Sequence, residues 1–206
     1  MTVIICPGVH PPELTTSFVQ QLGGQVDDYL ILPTDIAPPY SAVHILDYLH
    51  RQFAVPRPAS AQAKLATAPL VFIGFSAGVV GAIGAAWMWQ ALGRKVKAFI
   101  AFDGWGVPLV GSFPIHRVSH DRFTHDSSIY WGGAEESFYA DPPVPHLELW
   151  RSPRTVRGWH LSGSPRLSPN ATQASGEPSH RTPATAADFL LTLLTRHDEV
   201  RVEMAG

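Results

Sequence analysis

The stretch that decides the fold covers residues 70–78 and reads LVFIGFSAG. Its first four residues form a short apolar run of the kind found in buried β-strands. The next five match the pattern G-x-S-x-G, and the apolar sequence after them predicts a helix of about 15 residues that ends at Gly93. A serine at such a strand-to-helix turn stands at the apex of a sharp bend, where its hydroxyl is open to a ligand.

The same alternation of strands and helices extends along the first half of the chain. Short apolar runs at 3–6, 29–32 and 96–102 predict three further strands. Helical patterns begin at Pro12 and at Ser41. Four strand–helix alternations with short links predict a doubly wound, mainly parallel α/β sheet that is flanked by helices.

Residues 104–183 have a different composition, with ten of the nineteen prolines and four of the six tryptophans. One strand is predicted there, at 147–150. The pair Thr185 and Asp188 then has the spacing of a capping box and predicts a final helix. The sequence therefore predicts a single domain over residues 1–206, in which 104–183 is a loop-rich insertion or lid.

Composition and charge exclude several classes of protein. The net charge is −2 and no basic cluster occurs, so a nucleic-acid partner is not expected. The single Cys6 excludes an internal disulfide framework and a multi-cysteine zinc site. The N-terminal apolar run breaks at Pro7 without the flanks of a signal peptide, and no run of about 18 apolar residues predicts a membrane span. We therefore expect a cytoplasmic protein; the oligomeric state stays open.

The strand–GFSAG–helix segment resembles the α/β-hydrolase superfamily, in a compact esterase- or lipase-like form. The resemblance covers most of residues 1–110 and the final helix. It implies a serine hydrolase in which Ser76 cleaves an apolar carboxylic ester through an acyl-enzyme, without a cofactor. A thioesterase or acyltransferase with the same triad is an alternative. A non-catalytic protein that binds a ligand or partner on this scaffold is another.

In that superfamily the acid and then the histidine follow the serine along the chain. Asp103 comes directly after the strand that follows the nucleophile, at the edge where open α/β sheets bind ligands. The resemblance thus implies Asp103 as the catalytic acid. Asp141 is the alternative, and the Asp103–Gly104 pair is also typical of a simple turn at a strand end.

Seven histidines follow Ser76 in the sequence. The superfamily places its catalytic histidine on a loop shortly before the last helix, which implies His180, with His120, His125 and His160 as alternatives. The segment 116–126 holds three histidines and two aspartates, but it lacks the fixed spacing of a zinc site. The sequence favours a hydrogen-bonded loop for this segment, and no metal is predicted.

The remaining predicted site residues surround the serine. The resemblance implies an oxyanion hole made by the backbone N–H groups of Val9, in the loop after the first strand, and Ala77, at the helix start. His10, Phe75 and Trp105 are the predicted lining of an apolar substrate pocket.

Overall fold

Within the described part of the chain, eight strands form one sheet in which the strand Arg157–Ser162 alone runs opposite to the other seven. The computed structural model describes residues 2–26, 28–54, 68–132, 135–163 and 180–197. The strands are β1 Thr2–Cys6, β2 Tyr29–Ile31, β3 Leu70–Phe75, β4 Val96–Phe102, β5 Ile115–Ser119, β6 Glu136–Ala140, β7 Arg157–Ser162 and β8 His180–Thr185. Their order in the sheet is β2-β1-β3-β4-β5-β6-β7-β8, with β1 to β6 parallel and β7 and β8 antiparallel to their neighbours.

Helices cover both faces of this sheet, so the predicted fold class, a doubly wound and mainly parallel α/β sheet, is confirmed. The helices are α1 Pro12–Gln21, α2 Ala42–Ala54, α3 Ala77–Ala91, α4 Arg122–Ser128, α5 His146–Arg151 and α6 Ala186–Arg196, with a 3₁₀ turn at Ile129–Trp131. Phe18 of α1 and Leu190 of α6 belong to the same buried cluster as Ile73. Ile45 of α2 belongs to a second cluster with Phe72. Ile73 and Phe72 lie on opposite faces because successive residues of a strand alternate.

The prediction of a loop-rich insertion at residues 104–183 is wrong for the part that the structure describes. This part contains β5, α4, β6, α5 and β7, and β8 begins within it. β5 and β6 carry charged residues such as Arg117 and Glu136 at buried positions, so their patterns do not resemble apolar strands. Arg117 is accommodated because it donates hydrogen bonds to the carbonyl oxygens of Val107, Trp131 and Gly132. Residues 164–179 of the predicted insertion lie outside the described residues.

The strand predicted at 147–150 is also wrong, because these residues belong to helix α5. The helix follows Pro145, whose φ of −59° is compatible with the position before a helix. Leu149 and Trp150, which are adjacent in sequence, are both buried. Four residues of mixed polarity are too few to distinguish a strand from one helical turn by periodicity.

The predicted capping of the last helix is confirmed. The Asp188 N–H donates to Thr185 Oγ1 at 3.0 Å, and the Thr185 N–H donates to Asp188 Oδ2 at 3.3 Å. This reciprocal pair satisfies two N–H groups that the first turn of α6 leaves free. Among the residues that the structure describes, no helix has the length and apolar character needed to cross a bilayer.

One histidine, His116, is buried in the protein core. His116 of β5 is 1% exposed, and neither of its ring nitrogens has a hydrogen-bond partner among the described residues. Burial, together with the smaller effect of the neighbouring charges of His197, Arg196 and His160, lowers the pKa of His116 to about 3. The ring is therefore neutral in the folded protein at neutral pH.

We expect His116 to reduce the free energy of unfolding at acidic pH. Between pH 6.5 and 3 the unfolded chain binds a proton at His116 and the folded chain does not, so stability falls as the pH falls through this window. The full loss of stability is roughly 5 kcal/mol, of which about 3 kcal/mol falls between pH 7 and pH 4. In urea unfolding at pH 7 and pH 4, the free energy of unfolding should fall less between the two pH values for His116→Leu than for the wild type. The exposed-site control His50→Leu should keep the wild-type dependence; equal acid losses in all three proteins would contradict the expectation.

Candidate active site

Ser76 occupies the turn between β3 and α3 with a backbone φ of +53° and ψ of −122°. A non-glycine residue rarely adopts a positive φ, and such strain is concentrated at functional sites. The turn is held from both sides: the Ser76 N–H donates to the Phe102 carbonyl oxygen at 2.9 Å, and the Ser76 carbonyl oxygen accepts from the Val79 N–H at 3.0 Å. The serine is half-buried. The predicted strand–serine–helix geometry is thus present.

The glycines around Ser76 allow the loop after β1 to lie directly against this turn. A methyl group on Gly8 would stand 3.0 Å from Ser76 Cβ and 3.1 Å from the Phe75 carbonyl oxygen. A methyl group on Gly78 would overlap the carbonyl oxygens of Cys6 and Pro7. A larger residue at either position would therefore separate the loop from the serine.

The two N–H groups predicted to form an oxyanion hole lie on these two segments. Val9 follows Gly8 in the loop, and Ala77 is the first residue of α3. Neither N–H donates to a backbone carbonyl within the described part of the chain. The N–H of Ala77 also belongs to the first turn of a helix, where N–H groups lack intrahelical partners and the helix dipole favours an anion. Both groups are therefore available as donors, and their role remains a prediction.

Asp103 lies directly after β4 and also has a positive φ, of +50°. Its side chain is 2% exposed. Two backbone hydrogen bonds fix it: its N–H donates to the Val118 carbonyl oxygen at 2.8 Å, and its Oδ1 accepts the N–H of His120 at 2.9 Å. The second carboxylate oxygen, Oδ2, remains for side-chain partners.

The partner of Asp103 Oδ2 is His146, whose Nδ1 lies 2.7 Å away. An ionised carboxylate only accepts, so Nδ1 carries the proton and Nε2 of the neutral ring has a free lone pair. His146 is the first residue of α5, and its ring stacks on the ring of Phe75 with 4.7 Å between centroids. Phe75 immediately precedes Ser76, so this histidine lies beside the serine turn. Its side chain is 41% exposed.

His180 does not take the predicted position next to Asp103. It begins β8, where it pairs with Ser162, and Ser162 in turn pairs with Glu136, the first residue of β6. The beginning of β6 lies at the edge of the sheet opposite to the end of β3, because the two strands run in the same direction. The pairing of Asp103 with His180 is therefore corrected to a pairing with His146.

His146 is absent from the predicted site residues because the sequence pattern of 147–150 predicted a strand there. The sequence of 136–140 carries no local sign of a strand, but once that strand is known, His146 follows it by six residues. It then falls at the carboxyl edge of the sheet, where Ser76 and Asp103 also lie.

A second histidine faces the same carboxylate oxygen. Nδ1 of His120 lies 2.9 Å from Asp103 Oδ2, but this contact falls outside hydrogen-bond geometry. The ring is nearly perpendicular to that of His146, with 5.8 Å between centroids. The contact with Asp103 raises the pKa of His120, burial opposes this, and the charges of Asp103 and Asp121 add to the increase. His120 thus shares Asp103 with His146.

Three more residues that the sequence allowed as triad members have hydrogen-bond partners other than Ser76, Asp103 and His146. His125 is buried, with Nε2 at 2.9 Å from Ser137 Oγ. His160 donates from Nε2 to Glu136 at 2.7 Å. Asp141 accepts from the indole N–H of Trp159 at 2.9 Å.

The three predicted pocket residues differ in their environments. Phe75 is completely buried beneath His146 and Trp150, so it supports the histidine and does not face a ligand. His10 is half-buried, and its ring lies 5.5 Å from that of Phe75. Trp105 is exposed and donates its indole N–H to Ser127 Oγ at 2.9 Å. Only His10 and Trp105 of the three are therefore accessible beside the site.

Comparisons with known proteins add little beyond this geometry. No family model matches the chain, and a search of curated proteins found no match. Among solved structures, the chain is similar to YbtT, a type II thioesterase from the yersiniabactin NRPS/PKS biosynthetic pathway, with 13% identity, a TM-score of 0.43 and coverage of 72% of this chain and 86% of that one. It is also similar to a protein of Xanthomonas campestris pv. campestris described as a hydrolase of the alpha/beta superfamily, with 15% identity, a TM-score of 0.39 and coverage of 71% and 88%. Identities and TM-scores at this level do not bear on the substrate or the reaction of this chain.

Proposed function

We propose that the protein is a serine hydrolase that cleaves a carboxylic ester with an apolar substituent through an acyl-enzyme. Ser76 is the nucleophile, His146 the general base and Asp103 the acid that orients it. The observation that carries the proposal is the 2.7 Å hydrogen bond between His146 Nδ1 and the buried carboxylate of Asp103, beside a serine held at positive φ. This contact occupies Nδ1 of His146 and leaves Nε2 free to act as the base. The ring of His146 stacks on Phe75, next to the serine turn.

In the first half of the reaction, Ser76 Oγ attacks the ester carbonyl carbon while His146 Nε2 takes the hydroxyl proton. The tetrahedral intermediate then loses its alcohol, which receives that proton from Nε2. The buried Asp103 carboxylate stabilises the imidazolium that exists between these two proton transfers. The N–H groups of Val9 and Ala77 hold the negative oxygen.

In the second half, water replaces the alcohol. His146 Nε2 takes a proton from water, whose oxygen attacks the acyl carbon, and the proton then returns to Ser76 Oγ as the carboxylic acid leaves. Each residue regains its starting protonation state, so the cycle needs no cofactor.

Exposed apolar side chains near each reacting residue support an apolar substrate. Val9 adjoins Gly8 in the loop that lies against Ser76, Trp105 follows Asp103 by two positions, and Leu147 follows His146. All three side chains are exposed in the protein alone. An apolar acyl or alcohol group bound there would remove such surface from water, which is favourable.

A fluorophosphonate probe tests this proposal directly, because it phosphonylates only an activated serine. We expect one label per chain in the wild-type protein, and peptide mapping should locate it at Ser76. Ser76→Ala should stay unlabelled while its thermal unfolding remains cooperative. A folded wild-type protein that takes up no label, or a label at another serine, would refute the assignment.

A further inference from the structure

We propose that the cluster of Asp103, His120 and His146 binds a divalent transition-metal ion of the zinc class, and that the bound ion switches the hydrolase off. Binding itself follows from the donor atoms alone; the inhibitory effect rests on the proposed function. Of the segment 116–126, only His120 belongs to this site.

The three side chains supply one carboxylate oxygen and two imidazole nitrogens, all within 4.8 Å of one another. Zinc, with Zn–N and Zn–O bonds of about 2.0–2.1 Å, separates tetrahedral ligand atoms by about 3.3 Å. Asp103 Oδ2 lies 2.7 Å from His146 Nδ1 and 2.9 Å from His120 Nδ1. The two distances from Asp103 Oδ2 to the histidine nitrogens thus have to lengthen by roughly half an ångström. The half-exposed side chain of His146 can make this movement more easily than the buried Asp103.

The contact between His120 and Asp103 indicates a place for a cation. Nδ1 of His120 is buried and has no hydrogen-bond partner in the described part of the chain, although it lies 2.9 Å from a carboxylate oxygen. One carboxylate oxygen thus faces two imidazole nitrogens, of which only Nδ1 of His146 meets it in hydrogen-bond geometry, and a cation bound among the three atoms in place of a proton would satisfy all of them at once. The N–H of His120 holds Asp103 Oδ1, so Oδ2 remains directed toward both rings.

The donor set also selects the class of ion. Two imidazoles and one carboxylate suit zinc and its neighbours in the first transition row, whereas magnesium and calcium prefer oxygen ligands alone. Three protein ligands leave a fourth position of a tetrahedral ion for water. The exposure of His146 gives the ion a path from solvent.

Zinc at this position removes the catalytic tautomer of His146. The metal takes the lone pair of Nδ1, and the proton that Nδ1 held moves to Nε2 through solvent. Nε2 then has no lone pair to accept the proton of Ser76, and Asp103 is engaged by the metal. Removal of the ion restores the hydrogen bond between Asp103 and His146. The expected effect is full, reversible inhibition.

Isothermal titration of the full chain with zinc chloride tests the site without reference to activity. We expect the wild type to bind one ion, and His120→Asn to bind it about 100-fold more weakly, since loss of a ligand costs at least as much as loss of its supporting partner. His120→Asn keeps the backbone N–H that holds Asp103. His50→Asn is the matched control on an exposed histidine and should bind as the wild type does. Magnesium chloride should give no binding.

Equal zinc affinity in the wild type and His120→Asn would overturn the site, as would a wild type that binds no zinc. NMR of the wild-type imidazole groups provides a second measurement if the variant unfolds: stoichiometric zinc should shift the signals of two histidine rings, and shifts at other histidines would overturn the assignment.

Ester hydrolysis measured with zinc and then after addition of EDTA tests whether the bound ion inhibits the enzyme reversibly. Zinc binding that depends on His120 in a protein without esterase activity would refute the proposed function and leave the metal site standing.

Discussion

Replacing His146 by alanine is expected to lower the turnover of a short p-nitrophenyl ester by about 10⁴- to 10⁶-fold, nearly as much as loss of the nucleophile, because triad residues act as a unit. Without the imidazole, Ser76 has no acceptor for its proton and the leaving alcohol has no donor. The measurement is initial-rate kinetics at saturating substrate. His146 is half-exposed on a short helix, so the variant should fold.

His180→Ala is the matched control for this prediction. His180 is exposed at the opposite edge of the sheet, so its removal should leave turnover within about twofold of the wild type, as is usual for surface substitutions. Strong loss in His180→Ala together with retained activity in His146→Ala would reverse the assignment of the base. Retained activity in both variants would exclude a histidine-dependent reaction at either position.

The second large effect is expected for Asp103→Asn, which should lower turnover by about 10⁴-fold, as in the protease triad. Asparagine tolerates the φ of +50° that this position requires, so the backbone should keep its conformation. Its amide oxygen can still accept the N–H of His120, which turns the NH₂ group toward His146 Nδ1. The imidazole then carries its proton on Nε2 and cannot act as a base.

Asp103→Asn should lose far more activity than stability. Thermal unfolding of the variant and the wild type, measured together with turnover, checks this. Asp141→Asn is the control, since the sequence also allowed Asp141 as the acid and its carboxylate instead accepts from Trp159. We expect its turnover within a few-fold of the wild type. A loss in Asp141→Asn equal to that in Asp103→Asn would contradict the placement of the acid.

Local sequence was sufficient for the features that local physics controls. The apolar run at 70–73 and the small residues around Ser76 predicted a strand, a sharp turn and a helix, because close approach of backbones at Gly8 and Gly78 tolerates no side chain. Asp103 followed from the same logic, as the residue after the next strand. The capping pair at Thr185 and Asp188 depends on residues three positions apart and was likewise predictable.

The histidine that contacts Asp103 could be identified only from the tertiary structure. β5 and β6 bury charged side chains, whose hydrogen bonds come from distant segments, so their patterns carry no local sign of a strand. Without β6, nothing in the sequence brings His146 to the edge of the sheet that holds Ser76. His180 precedes the last helix, as the resemblance implied, but the antiparallel pairing of β7 and β8 carries it to the far edge. By itself, the sequence determined the serine turn and the place of Asp103 directly after the next strand. Long-range strand pairing decided which imidazole meets the Asp103 carboxylate, because register between distant segments is set by tertiary contacts.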